Sequence, residues 1–361
     1  MKDLKQWGIH WFRRDLRTYG NEALEENRAR TGGKTLGLFC FDAKFLSRTD
    51  FSANRFAFFL KTIEALREEL RSQGGDLLVI DCLPEEAFER IFAFAKQNKL
   101  SPPSIVTFNR DYEPFARIRD EGMEKFFAKE GVMLQTRRDH LLFEPHEILR
   151  EEGPDGYYRM YSPYAKKWAV AMRGPEGKKR LAEVPPLSGY AAYVKKNRFA
   201  FTWADLQKLP GFPFADAYDA FKKQNDKNVQ VKIPDAGMKT GIQLLDEFRE
   251  KLAAYEDKRE IPAAFNTSEF SRFFKNGSLT LPSVIKELKL DRPVNDLTRG
   301  CEKFLKELIW REYYYSILFH RPDVERNPFQ LKYKDLEWRY SEEDLQRWID
   351  GKTGFPIIDA G

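Results

Sequence analysis

Residues 35–80 read TLGLFCFDAKFLSRTDFSANRFAFFLKTIEALREELRSQGGDLLVI. The stretch opens and closes on short apolar runs, residues 35–41 and 77–80. Between them the spacing predicts a helix from near Ser52, with Phe56, Phe59, Leu60, Ile63, Leu66 and Leu70 on one face. Gly74-Gly75 supplies its stop, because glycine accepts the left-handed backbone that ends helices. Strand, helix and strand in this order form a parallel crossover. Further apolar runs lie at residues 8–12, 105–108 and 132–135, again separated by helical patterns. Residues 1–137 are therefore expected to form a Rossmann-like, doubly wound parallel sheet of the α/β class, with any ligand at its carboxyl edge. No G-x-G-x-x-G follows the first run, so a dinucleotide fingerprint is absent.

Residues 138–235 read differently. Pro154, Gly156, Pro163, Gly174-Pro175, Pro185-Pro186 and the segment 210–213 punctuate them, which predicts a long, partly ordered linker over the surface. From residue 236 to 361 the pattern is helical. Helices are expected over 241–252, 266–276, 298–319 and 341–349, the last opening on a Ser-Glu-Glu-Asp cap. The expectation is an all-α C-terminal domain.

Composition narrows the function classes. The 361 residues allow two or three domains, and 42% hydrophobic with 32% charged residues is a soluble globular profile. No run approaches the about 18 apolar residues of a membrane span. Residues 1–5 lead into a strand without an apolar signal core, so a cytoplasmic location is expected. Cys40, Cys82 and Cys301 are sparse and unpaired in spacing, and His10, His140, His146 and His320 lack metal-ligand spacing. Neither a disulfide framework nor a metal site is expected. The net charge of +5 divides as +1 over residues 1–150, +5 over 151–235 and −1 over 236–361. A nucleic-acid site would thus need a locally shaped groove instead of bulk charge. Aromatic residues reach 14%, which suits a filled core or a site for flat rings.

Three segments carry candidate chemistry. In residues 304–314, helical spacing groups Phe304, Glu307, Trp310, Arg311 and Tyr314, with Leu305, Leu308 and Ile309 toward the core. Pattern alone leaves two readings: a solvent face with an Arg–Glu pair, or a cavity wall that stacks a planar substrate and bonds its edge. Thr267, Ser268 and Ser271 place hydroxyls at a predicted helix start, suited to N-capping or to an anion. Residues 255–259 read as a charged helix end before Pro262.

Several of these segments resemble the photolyase/cryptochrome family, in register and in order. The opening residues 11–17, WFRRDLR, are similar to that family's first strand and loop. Residues 161–164, YSPY, with Trp168 resemble its linker motif. Residues 255–262, 267–271, 307–314 and 351–361 (GKTGFPIIDAG) resemble its successive helical signatures. The resemblance covers essentially the whole chain and is nearest the cyclobutane pyrimidine dimer photolyases.

The resemblance implies light-driven repair of pyrimidine dimers in DNA by electron transfer from reduced FAD, held by a C-terminal FAD-binding domain. Tyr255, Thr267, Ser268, Phe270, Ser271 and Phe304 would contact the flavin cofactor. Glu307 would hydrogen-bond the dimer bases, and Trp310 would stack on the extruded lesion. Arg259, Arg311 and Tyr314 would face the DNA, and Trp338 would be the surface end of an electron relay. The resemblance leaves the second antenna chromophore open: one of folate or deazaflavin type, another flavin, or none. The helix around Arg117 resembles an antenna-binding helix, but Ala116 stands where some relatives use an acid for folate.

Two further departures enter as expectations. Glu269 stands where many relatives carry arginine, beside the expected diphosphate site. The family's motif at 353–361 continues into further helices, so the chain is expected to be C-terminally truncated, to retain little FAD alone and to repair nothing unless paired with a separate C-terminal fragment; otherwise it would be a monomer. Two rivals stay open: a cryptochrome-type blue-light sensor, and a non-catalytic nucleotide-binding module using residues 1–137 alone.

Overall fold

The computed structural model describes residues 6–49, 51–153 and 155–360. Residues 1–5, Asp50, Pro154 and Gly361 lie outside the described residues, and with them the reading of the N-terminal leader and one of the linker prolines. The chain forms two compact units, one ending at His320 and one beginning at Arg321.

The first unit opens on the alternation that the apolar runs predict: β1 (Gly8–Trp11), α1 (Glu22–Thr31), β2 (Thr35–Phe41), α2 (Ala53–Ser72), β3 (Leu77–Asp81), α3 (Pro84–Gln97), β4 (Ile105–Asn109), α4 (Pro114–Lys129) and β5 (Met133–Arg137). All strand pairs are parallel, in the order β3-β2-β1-β4-β5. The central strands are near-continuous apolar runs because helices cover both their faces. Ser52 caps α2 by accepting from the Arg55 N–H, and Gly74 at φ 79° follows its end. Phe56, Leu60, Ile63, Leu66 and Leu70 are buried under the sheet, while Phe59 is half-buried.

The segment expected as a surface linker carries five short helices: α5 (Tyr161–Arg173), α6 (Pro175–Glu183), α7 (Tyr190–Lys196), α8 (Trp203–Gln207) and α9 (Tyr218–Asp226). Phe201, Trp203 and Leu206 complete the core on one face of the sheet, with Trp7, Trp11, Phe88 and Phe127. Phe199, Tyr218 and Phe221 complete the other. Proline at the first helical turn is tolerated because that turn's N–H groups lack intrahelical partners. Pro175 therefore starts a helix where the sequence suggested a loop.

The helical part follows: α10 (Met238–Lys251), α11 (Tyr255–Lys258), α12 (Ser271–Asn276), α13 (Leu281–Glu287) and α14 (Arg299–His320). Phe248 gathers Tyr255, Phe270 and Phe304 around it, with ring centroids 4.7 to 5.6 Å away. The expected helix over 266–276 is only its second half. Glu269 sits at φ 54°, in the left-handed region that breaks a helix, so Thr267 and Ser268 belong to the preceding loop.

In the second unit, α15 (Glu342–Ile349) starts at Ser341, whose hydroxyl accepts from the Asp344 N–H at 3.2 Å. Before α16 (Pro356–Asp359), the Asp359 carboxylate accepts from the Thr353 and Gly354 N–H groups at 2.8 and 3.0 Å. Among the described residues no helix is long and apolar enough to cross a membrane.

Candidate functional site

The strand order reverses between β1 and β4, and open α/β sheets take ligands in the crevice at such a reversal. The chain leaving β1 turns sharply there around Asp15. This buried carboxylate accepts from the Arg13 N–H at 2.7 Å and from Asn109 Nδ2 at 2.7 Å, and His10 Nε2 lies 2.9 Å away. Burial by itself would raise the Asp15 pKa, but the His10 bond and charge, with the amide donors, outweigh it and hold the group well below the usual carboxylate range. With Asp15 pinned, Arg13 and Arg14 project from the strand end. Arg13 bonds Asp120 and the Asn109 carbonyl. Arg14 reaches Glu113 at 2.6 Å, Asp111 at 3.3 Å and the Tyr315 hydroxyl on α14.

Arg14 thereby joins the sheet edge to a cleft of about 430 Å³ on the helical side. One wall is α14, which contributes Phe304, Glu307, Leu308, Arg311 and Tyr315. The other carries Tyr255 from α11, Ser268 from the loop, and Ser271, Phe274 and Lys275 from α12. Arg259 Nη1 donates to Glu307 at 2.5 Å, fixing the carboxylate. Arg311 donates to the His140 carbonyl at 3.1 Å and lies over the Phe274 and Tyr315 rings. Hydroxyls and cations thus stand beside aromatic and aliphatic surface. That donor set fits a ligand with an anionic, diphosphate-like part and a flat ring, as FAD has.

Trp310 stands on the neighbouring face of α14. Its indole is stacked on the Tyr161 ring, with centroids 3.5 Å apart and planes 3° from parallel, and on Tyr314 at 5.5 Å and 25°. On the side of α14 away from the cleft, Glu312 is buried in the stripe that faces the core. It accepts from the Leu142 N–H, from the Phe143 N–H at 3.3 Å and from Trp168 Nε1 at 2.5 Å. Burial pushes its pKa up to about 7 against the pull of those donors.

A second cleft, of about 570 Å³, opens on the other side of Arg14. Phe58, Phe59, Val231 and Ile233 supply its apolar lining, and Arg13, Arg55 and Arg272 are among its cations. Arg14, Ser271 and Lys275 line both clefts.

Residues 8–186 match the family described as DNA photolyase, and residues 304–361 match the FAD binding domain of DNA photolyase. A deoxyribodipyrimidine photo-lyase of Alkalihalophilus pseudofirmus is 30% identical over 356 residues, covering 97% of this chain and 67% of the relative. The chain belongs to the DNA photolyase family. The fold agrees. An archaeal photolyase from Sulfolobus tokodaii, solved with two FAD molecules, superposes with a TM-score of 0.69 at 22% identity, over 98% of this chain and 69% of that one. A Synechocystis cryptochrome gives 0.72 at 19% identity, over 100% and 71%. This photolyase-family chain thus spans about two thirds of the length of those relatives.

The cleft beside α14 gathers six of the residues singled out from the sequence: Tyr255, Ser268, Ser271, Phe304, Glu307 and Arg311. Arg259 joins them through Glu307. Thr267 is exposed outside the cleft lining, and Phe270 is buried behind it against Phe248 and Phe304. The single polar face expected for α14 splits in two. Phe304, Glu307 and Arg311 line the cleft, whereas Trp310 and Tyr314 form the adjoining stack, because the helix turns about 100° per residue and so rotates the latter pair away. Trp338 belongs to the second unit and is 81% exposed. Glu269 does not line the cleft; its carboxylate pairs with Arg272 at 2.6 Å, which neutralises the acid that the sequence placed near an anion site. Arg117 donates to the Phe319 carbonyl at 3.0 Å and covers the Phe319 ring, so it clamps the end of α14. Sequence reasoning missed Arg14, Phe274, Lys275, Leu308 and Tyr315. Arg14 was visible inside the WFRRDLR motif, and Tyr315 stands one helical turn beyond Arg311.

Proposed function

We propose that the chain is a light-driven lyase that splits cyclobutane pyrimidine dimers in DNA, with FAD as cofactor, in the cytoplasm. In this reading residues 1–137 are the antenna domain, 138–235 the linker and 236–361 the flavin-binding part. The observation that carries it is the common cleft: one helix presents Phe304, Glu307 and Arg311 to the wall formed by Tyr255, Ser268 and Ser271.

When bound, the flavin supplies one-electron chemistry that no side chain offers. The protein's part is position and electrostatics. The Ser268 and Ser271 hydroxyls, with Lys275 and Arg14, would hold anionic groups of the cofactor, with Thr267 at the loop's outer side. Tyr255 and Phe304 would exclude water from the cleft, and Phe270 supports them from behind. An extruded dimer would stack on Trp310. Glu307, oriented by Arg259, accepts hydrogen bonds from the base edges. Arg259, Arg311 and Tyr314 serve the strand that carries the lesion, and Trp338 would pass electrons from the surface. The second cleft, aromatic in its floor and cationic at its rim, suits a second planar, anionic chromophore of folate or deazaflavin type.

The test compares a labelled oligonucleotide containing one thymine dimer with its undamaged twin, by fluorescence anisotropy. The wild-type chain should prefer the dimer, and Trp310→Ala should weaken dimer binding by at least about fivefold, the lower range for one base stack. Glu307→Gln should lower light-dependent splitting by FAD-loaded protein far more than it lowers binding. Equal binding of both oligonucleotides by the wild type would refute the assignment.

A further inference from the structure

The Trp310 indole, which the proposed function gives to the lesion, already has a flat ring on its face. Tyr161 lies on it almost in register, at 3.5 Å and 3°. That is the spacing of stacked bases. The full face-to-face arrangement is also the weaker one for two aromatic rings, which prefer an offset or an edge. The Tyr161 hydroxyl donates to the Lys306 carbonyl at 2.9 Å, mooring the ring to α14 one turn before Trp310. Tyr161 is the first residue of α5, and Met160 before it is extended and 69% exposed. The first turn of a helix lacks intrahelical bonds for its N–H groups, so its ring can move without unzipping the helix. Arg159, Lys166 and Lys306 are exposed within five residues of Tyr161 or Trp310 in the chain, Lys306 in a pair with Glu302 at 2.7 Å.

We propose that Tyr161 is a stand-in for a base: it fills the stacking place on Trp310 in the free protein and swings out when an extruded dimer enters. The contact then sets a common threshold. Any base entering must displace the phenol ring and its hydrogen bond, so the cost is the same for all and lowers affinity without changing their ratio. A dimer, already poorly paired and stacked in its duplex, keeps enough net affinity to enter. The inference rests on the assignment of Trp310 to the lesion, and the experiment separates the two.

Anisotropy titrations use the full chain with the thymine-dimer oligonucleotide and with undamaged single-stranded DNA of the same sequence. Tyr161→Ala should bind the dimer roughly three- to tenfold more tightly, the range set by one aromatic pair, and should tighten on the undamaged strand by no more than that. Tyr161→Phe keeps the stack and should stay near wild type in dimer affinity. Urea unfolding of both variants shows whether the fold persists. A folded Tyr161→Ala chain that binds the dimer as the wild type does, or more weakly, while Trp310→Ala loses dimer binding, overturns the stand-in alone. Dimer binding that survives Trp310→Ala overturns both readings.

Discussion

Replacing Glu312 by glutamine should change how the stability of this chain depends on pH. The carboxyl group is buried behind the cleft helix and its pKa is raised from 4.5 to about 7 by burial. The folded chain therefore holds the carboxyl proton more tightly than the unfolded chain. That contribution to stability is complete below the unfolded value and is lost as pH rises through about 7. A shift of this size is worth about 3 kcal/mol. Glutamine keeps one accepting oxygen but sets an NH2, with two donors, against N–H groups that the other oxygen accepts from, so Glu312→Gln should be less stable than the wild type in acid. By about pH 8 the difference should have moved by about 3 kcal/mol in the variant's favour. Urea unfolding followed by tryptophan fluorescence, at several pH values from about 5 to about 8, reads the difference directly. A wild-type-minus-variant difference that stays constant across that range would refute the reasoning. It would mean that the three donors from Leu142, Phe143 and Trp168 outweigh burial and keep the group ionised.

Glu312→Ala should destabilise the fold at every pH, by about 3 kcal/mol or more, because three buried donors lose their acceptor; unchanged urea midpoints would contradict this. Gly277→Ala should cost more than about 2 kcal/mol, since its φ is 76° and a Cβ there would run into the Arg14 carbonyl. The same variant should weaken FAD binding by displacing Arg14, which a flavin titration checks. Phe265→Gly should stabilise by about 0.5 to 1 kcal/mol, because Phe265 is exposed and held at φ 46°, where only glycine is unstrained; a lowered urea midpoint would speak against it.

The sheet was legible because apolar runs of strand length alternate with helical periods, and each predicted strand falls within two residues of its observed bounds. The linker was not. Its prolines look like breaks, yet they space short helices whose burial shows only when Trp168 and Trp203 meet their neighbours. The cleft was half legible. Helical spacing found Phe304, Glu307 and Arg311, but it does not say how wide an arc of α14 the cleft takes in, and Trp310 falls just outside that arc. Glu312 could have been found: it continues the buried stripe Leu305, Leu308 and Ile309, and an acid in such a stripe signals a specific partner set. The break at Glu269 had no sequence signal, since nothing in a glutamate announces a left-handed backbone.

Arg14, Ser271 and Lys275 belong to two chambers at once. Genetic separation of those chambers is therefore limited by construction. Substitutions in the floor of one and the wall of the other meet through these three side chains, and their effects should combine non-additively. An evolving lineage that exchanges the occupant of the apolar chamber would have to do so within what the neighbouring chamber tolerates.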